Sequence, residues 1–344
     1  MKIKKIRILA GLLTTFIIIN NMNAQHNDFY TMVGYAVKAP SGHNTQPWKF
    51  RIKENAIDII PDFSKTLPVV DGNNRELFIS LGCATENVCI AASALGYNAD
   101  MSVSQEGIIS IHLQKPASVR QDTLFSQIEK RQTNRTVYNF QSIEDSLMKN
   151  CLSVIPESQD IRFHYWKNGS EPYEILKELI IDGNIVQMDD ERFVTELKSW
   201  MRVNKKESMA KKDGLGYDVF GAPNLPAFIA RPAIGSFLNS KKQNKGDRKK
   251  IESSSHFILF TTRNDTVSDW ITLGRFMQRF LLKSTAHNIA HAYMNQPCEV
   301  GELRIKLKDQ LNLHNEYPQI LLRVGYGEEA PYAKRKSVDE VIVK

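Results

Sequence analysis

Ala39-Pro40-Ser41-Gly42-His43-Asn44-Thr45-Gln46-Pro47-Trp48 sets two prolines and a glycine among a dense run of polar side chains. It then leads into Lys49-Phe50-Arg51-Ile52, which alternates like a strand. Proline fixes φ and glycine frees it. A loop of this kind can therefore hold backbone N–H groups and amide or hydroxyl side chains around a polar ring or a phosphate. Composition alone favours an ordinary turn here; the order of the residues says more.

Working outward, residues 57–60 read as a short strand, and Asp71-Gly72-Asn73-Asn74 turns the chain into a helix. Leu77, Leu81, Ala84, Val88, Ala91, Ala92 and Leu95 recur close to a 3.6-residue period over 75–95, and Gly96 is placed to stop that helix. Another strand is expected at 108–113. A comparable unit follows later, with a strand at 255–261 and a long apolar-periodic helix from about Asp269 to Tyr293, ended by Pro297. A short helix at 303–311 and a core strand at 317–325 complete it. Gly82 and Gly274 fall at equivalent places near the start of each long helix, where a missing Cβ lets another backbone approach. Two such units can pack as a pseudo-dimer within one chain. Between them, 165–250 is a helix-rich insert broken by Gly214, Gly216, Gly221 and Pro223, a mixture that suits a lid or pocket wall.

A second informative stretch is Ile128-Glu129-Lys130-Arg131-Gln132-Thr133-Asn134-Arg135. Arg131 and Arg135 share a face if the segment is helical and can converge on one anion if it bends. Guanidinium groups suit bidentate phosphate contacts, with Thr133 and Asn134 able to add hydrogen bonds. On residue type alone, a surface arginine pair remains open. At the carboxyl end, Gly325 follows the last core strand, and Arg335 stands in the basic tail Lys334-Arg335-Lys336.

The 39–48 loop resembles the flavin-binding loop of the nitroreductase family, and 131–135 resembles that family's phosphate-binding arginine motif. The similarity covers roughly 30–115 and 125–340 and is weakest over 165–250. It is nearest to a two-repeat branch of actinobacterial dormancy-associated proteins, through the Leu-Pro-Val-Val-Asp, Arg-Glu-Leu and Ile-Ser-Leu-Gly segments within 67–82. The resemblance implies an α+β, nitroreductase-like fold of two fused repeats (25–120 and 121–344) with a helical insert or lid. It also implies FMN as cofactor, held by Ser41, Gly42, His43, Asn44, Gln46, Arg131, Thr133, Asn134, Arg135, Gly325 and Arg335. Each motif occurs once, and Asp28-Phe29-Tyr30-Thr31 is no counterpart of the arginine motif. One complete site is therefore expected, with its mirror image degenerate. No catalytic side chain and no metal ligand is assigned.

The rest of the chain bounds this reading. Lys2, Lys4, Lys5 and Arg7 precede an apolar run at 8–19, and Asn23-Ala24-Gln25 offers a cleavage point. That is the layout of a secretory signal peptide over 1–24, with an uncleaved N-terminal anchor as the alternative, and it implies an exported, periplasmic protein without a stable membrane span in the mature chain. Without the leader the formal charge falls from +7 to +3. The run at 241–250 lacks interleaved aromatics and reads as a solvated loop, so no nucleic-acid partner is expected. Cys83, Cys89, Cys151 and Cys298 match neither a zinc pattern nor a redox pair. The expected partners are FMN, NAD(P)H and small aromatic acceptors, in a monomer that is itself a pseudo-dimer or in a weak homo-oligomer. The expected reaction is two-electron transfer from NAD(P)H or another donor to a nitroaromatic, quinone or similar acceptor. An exported flavin-binding or sequestering protein with little turnover is the alternative, because nicotinamides are scarce outside the cytoplasm.

Overall fold

The structure is a computed structural model that describes residues 24–156, 158 and 160–343. The expected leader at 1–24 lies outside these residues except for its last position.

Helix α1 (24–36) precedes the decapeptide loop. Then come β1 (Trp48–Ile52), β2 (Ala56–Pro61), α2 (Arg75–Ala94), β3 (Asn98–Val103) and β4 (Ile109–Gln114). The four strands form an antiparallel sheet in the order β1-β2-β4-β3. After α3 (Asp145–Leu152) and β5 (Ile161–Lys167) the chain leaves on a long excursion. It passes through α4 (Glu171–Asp189), α5 (Glu191–Trp200), β6 (Met201–Arg202), α6 (Lys205–Lys211), β7 (Leu215–Gly216), α7 (Ala227–Phe237) and α8 (Ser240–Glu252). It returns in β8 (His256–Thr262), α9 (Val267–Ala286), β9 (Ala290–Tyr293), α10 (Gln296–Glu299), α11 (Gly301–Gln310), β10 (Tyr317–Gly325) and α12 (Val338–Val341). The second antiparallel sheet has the order β5-β8-β10-β9, the same topology as the first. The insert occupies the β5–β8 hairpin, where the first repeat has only the short turn between Ile52 and Ala56.

The expected α+β fold of two repeats packed as an intrachain pseudo-dimer is what the chain adopts. At its centre α2 crosses α9. A Cβ on Gly82 would lie 2.1 Å from the Ile271 carbonyl oxygen, and one on Gly274 would lie 2.1 Å from that of Ile79. The reciprocity marks a local two-fold axis that only glycine permits on either side. Side chains of both repeats, including Phe50, Leu81, Ile258 and Phe280, share one core. α2 is buried almost all round, and Asp71 accepts hydrogen bonds from the Glu76 and Leu77 N–H groups at its start. Among the described residues it is the one helix long and apolar enough to cross a membrane, and most of it lies inside the protein.

Three local expectations change. The long second helix stops at Ala286, not near Tyr293: Asn288 takes a left-handed φ of 56°, and residues 290–293 pair with β10 instead. Strand β5 has mixed burial with no clean alternation, so its pairing with β8 shows only in the sheet. The basic run at 241–250 is no loop: α8 is N-capped by the Asn239 side chain, which accepts from the Lys242 N–H.

The carboxyl end crosses back to repeat 1. Ile342 bridges to Phe50, and the Val343 N–H donates to the Phe50 carbonyl at 2.8 Å, covering the open edge of β1. That crossing carries Arg335 to the decapeptide loop.

Candidate functional site

A cavity of about 1110 Å³ lies beside the α2–α9 crossing, walled by the 39–48 loop, the 131–135 segment, the insert and the chain's last segment. Ser41, Gly42, His43, Asn44, Arg131, Thr133, Arg135 and Arg335 all line it. The motifs of the two repeats therefore converge as expected. Gln46, Asn134 and Gly325 do not line it and act behind the wall.

The loop holds an unusual backbone. His43, Asn44 and Gln46 have φ of 47°, 55° and 53°, a region that disfavours residues with a Cβ. Hydrogen bonds fix it there. The Asn44 amide donates to the Gly214 and Lys334 carbonyls and accepts from Arg335 Nη1 at 2.7 Å. The Gln46 amide donates to the Lys212 carbonyl and accepts from the Lys336 N–H, while Ser41 Oγ accepts from the Gln46 N–H. Asn44 and Gln46 thus clamp the loop to the insert and to the carboxyl-terminal segment. Asn44 both lines the cavity and clamps the loop, whereas Gln46 acts from behind it. His43 stays free to face the cavity. Its Nε2 has no partner, and burial beside Arg135 lowers its pKa to about 4, so it is neutral near pH 7.

The cationic end is under-neutralised. Arg131 is 4% exposed, and its Nη2 donates to the Lys38 carbonyl while Nε and Nη1 have no partner. The Arg135 guanidinium sits 5.7 Å from the centre of the Phe220 ring. Burial lowers the pKa of both arginines. Arg335 falls to about 9, first through burial and then through the charges of Arg131 and Arg135. Among the described residues none of the three forms an ion pair with a carboxylate, although Glu76, Glu129 and Glu299 line the same cavity. Arg335 Nη1 and Nη2 already donate to Asn44 and to the Ala39, Ala333 and Lys334 carbonyls, so the unpartnered donors are Nε and Nη1 of Arg131 and Nε of Arg335. Such a cationic group suits a dianionic phosphate, whose binding would relieve the repulsion.

Residues behind the wall hold that end in shape. The Asn134 amide donates to the Glu328 carbonyl and accepts from Thr136. Gly325 leaves room for the Tyr138 ring, which a Cβ would approach to 2.6 Å. Buried Arg323 stacks 3.9 Å over that ring and donates to the Thr136 carbonyl at 2.7 Å. Its place on a core strand was the one sequence cue to this support role.

Elsewhere on the wall the sequence reading named nothing, yet two buried carboxyls meet there. Glu76 and Glu299 both line the cavity. Burial, then the charges of Glu299 and Asp71, raise Glu76 well above its ordinary value against the pull of Arg75, 3.3 Å away, and burial and Asp71 raise Glu299. Asn295 donates to Glu76 Oε1, and Gln187 donates to Glu299 Oε2 at 2.5 Å. Glu76 Oε2 lies toward the decapeptide loop, 3.5 Å from where a Gly42 Cβ would stand. Glu76 and Glu299 come from different repeats, so no local pattern announces the pair.

The mirror position is filled. Cys83, just after Gly82, faces the large cavity; Arg275, just after Gly274, donates instead to Glu86 at 2.9 Å. Arg279 joins it, donating to Glu86 and Asp122, beside a recess of about 260 Å³. No cluster of metal-ligating side chains occurs among the described residues.

Comparison with known proteins agrees with the resemblance read from the motifs. No protein-family model matches the chain. It is similar to a Mycobacterium tuberculosis protein provisionally named NAD(P)H nitroreductase acg, 29% identical over 326 residues that cover 90% of this chain and 93% of the relative. A second protein of that organism, also provisionally named an NAD(P)H nitroreductase, is 22% identical over 326 residues, 91% of this chain and 90% of its own. Among solved structures, the FMN-dependent nitroreductase NfnB from Mycobacterium smegmatis in complex with NADPH aligns at 12% identity with a TM-score of 0.42, over 62% of this chain and 94% of its own. The chain thus resembles nitroreductases along nine tenths of its length.

Proposed function

We propose that the chain is an oxidoreductase of the nitroreductase type that binds FMN in this cavity and passes two electrons from NAD(P)H or another donor to a nitroaromatic, quinone or similar acceptor. The observation that carries this reading is the group of three arginines, without ion-pair partners among the described residues, at a cavity lined by the 39–48 loop. Arg131, Arg135 and Arg335 would hold the phosphate, with Ser41, Gly42 and His43 bordering the ring and ribityl chain. The volume of about 1110 Å³ exceeds the usual range of small-ligand sites, which leaves room for a second ligand beside the cofactor. Bound FMN would supply the two-electron chemistry. The protein's own residues position, balance charge and manage protons. The arginines offset negative charge. Glu76 and Glu299, raised mainly by burial, would bind a proton more readily than exposed carboxylates and so could pass one to an acceptor that takes up protons with its electrons.

Purified protein is expected to be yellow with about one flavin per chain, and anaerobic NADH or NADPH should bleach it. A colourless protein that cannot be reconstituted with FMN overturns the proposal. A second reading, a flavin-binding protein with little turnover, draws support from the insert. The Gly214 N–H donates to the Asn44 carbonyl, and α7 lies over the cavity through Ala233 and Ile234. A yellow protein whose spectrum ignores both nicotinamides would favour it. The basic leader and apolar run support export to the periplasm, which cell fractionation with sequencing of the mature amino terminus checks.

A further inference from the structure

We propose that α7 and α8 form a docking element for an anionic lipid surface, with the outer side of α7 entering the headgroup layer and the lysines of α8 lying against lipid phosphates. The proposal is independent of what the cavity holds.

Helix α7 reads Ala-Phe-Ile-Ala-Arg-Pro-Ala-Ile-Gly-Ser-Phe, and Ala230 is its one buried residue. Phe228 is 77% exposed, Phe237 61% and Ile229 46%. The helix carries a single charge, Arg231, which pairs with Glu207 at 2.7 Å. Ala233, Ile234 and Phe237 line the cavity, and Phe228, nine residues before Phe237 on the helix, points to the opposite side, so Phe228 and Ile229 mark the outer face. A monomer in water gains nothing from such an outer face, whereas a bilayer interface accepts it.

The neighbouring α8 supplies the complementary charge. Lys241, Lys245 and Lys249 recur on successive turns, all exposed, and none forms an ion pair with a carboxylate of the described residues. Like charges four apart weaken a helix, so an unneutralised stripe points to an anion outside the chain. Its acidic neighbours are already engaged: Asp247 is buried and held by Lys250 and Asn184, and Glu178 pairs with Arg248. Glu252 remains exposed at the far end. Lys242 joins the two surfaces, its Nζ donating to the Ser236 carbonyl and standing 4.5 Å from the Phe237 ring centre. An apolar outer face on α7 followed directly in the chain by a lysine stripe on α8 matches the composition of an interfacial element. An acidic protein or a nucleic acid would satisfy the lysines but would leave Phe228 and Ile229 in water.

The test uses the full chain with a fluorophore on Phe228→Cys and, as a control, on Gln105→Cys at the exposed β3–β4 turn. Cys83, Cys151 and Cys298 are buried and Cys89 half-buried, and the unsubstituted chain labelled in parallel gives the background from these native thiols. The leader can bind lipid by itself, so the readout is the environment of each label, not binding alone. With vesicles of phosphatidylglycerol and phosphatidylcholine, the label at 228 should shift to the blue and be quenched by nitroxide-bearing lipid, while the label at 105 should not. Pure phosphatidylcholine should give a much weaker response. Replacing Lys241, Lys245 and Lys249 together with Gln should raise the anionic-lipid concentration needed at 228 by about 100-fold. These changes remove repulsion within α8 and so do not threaten folding. A label at 228 that stays in water on vesicle-bound protein overturns the proposal. So does a response unchanged in the triple variant, or a shift that follows protein concentration without lipid, which would indicate a second copy as the occupant.

Discussion

Helices α2 and α9 match at their crossing and part company one residue later. Gly82 and Gly274 each admit the other helix's backbone within a distance that no Cβ tolerates. The next residue on α2 is Cys83, which faces a cavity of about 1110 Å³; the next on α9 is Arg275, locked to Glu86. Duplication thus kept the scaffold and abandoned one of its two sites. The scaffold is constrained from both sides at once, since either glycine alone would fail. The sites are not. One cavity gathers Arg131, Arg135 and Arg335, while on the other side Arg275 and Arg279 close around Glu86 and Asp122.

This comparison breaks if the two sides respond alike to removal of charge. Arg131→Ala combined with Arg135→Ala should weaken FMN retention by about 10²- to 10³-fold, the worth of two charge-assisted contacts. Arg279→Ala should leave retention unchanged and lower only stability. Fluorescence titration with FMN measures both, and equal losses would mean the cationic end is not the phosphate site. The shared scaffold is tested by Gly82→Ala and Gly274→Ala. Each should cost about 3 kcal/mol in thermal unfolding, because a backbone carbonyl, not a flexible side chain, blocks the added methyl. A large difference between them would show that the two-fold relation is only nominal.

A smaller effect near neutral pH comes from histidines. His43 and His256 are lowered to about 4 and His291 to about 3, in each case mainly by burial. Their folded pKa values lie below the unfolded one, so the unfolded chain binds more protons between about pH 6.5 and those values. Stability is full above pH 6.5 and is lost as the pH falls through that window, by about 1.4 kcal/mol per pH unit for each histidine. His291→Leu should remove one proton from the slope of unfolding free energy against pH. The smallest change is expected for Glu76→Gln. A raised carboxyl contributes stability below its unfolded pKa and loses it as the pH rises through the folded value. A permanently neutral amide should therefore flatten the decline of stability as the pH rises above the unfolded carboxyl value, as read from urea midpoints.

Much of this was legible locally. The period of α2, the glycines of both long helices and the two short motifs lie within single segments, where sequence order and physical cause coincide. Strand β5 was missed because its side chains are half-buried and show no alternation. The end of α9 was misplaced because Asn288, not Pro297, takes the left-handed turn. Gln46 belongs to the loop pattern and Asn134 lies between the motif's residues, and their amides bond Lys212, Lys336, Glu328 and Thr136 of the protein. A motif shows that a residue is needed, and only its partners show for what.

By itself the sequence determined the two repeats, the resemblance to nitroreductases and the loop and arginines that one flavin site would need, because helical period, turn chemistry and short motifs are written in neighbouring residues. Tertiary structure alone decided that Arg335 reaches the 39–48 loop, that Glu76 meets Glu299, and that Arg275 fills the mirror position. Each of those depends on segments far apart in the chain, and their meeting is set by how the two sheets and the α2–α9 pair fold together.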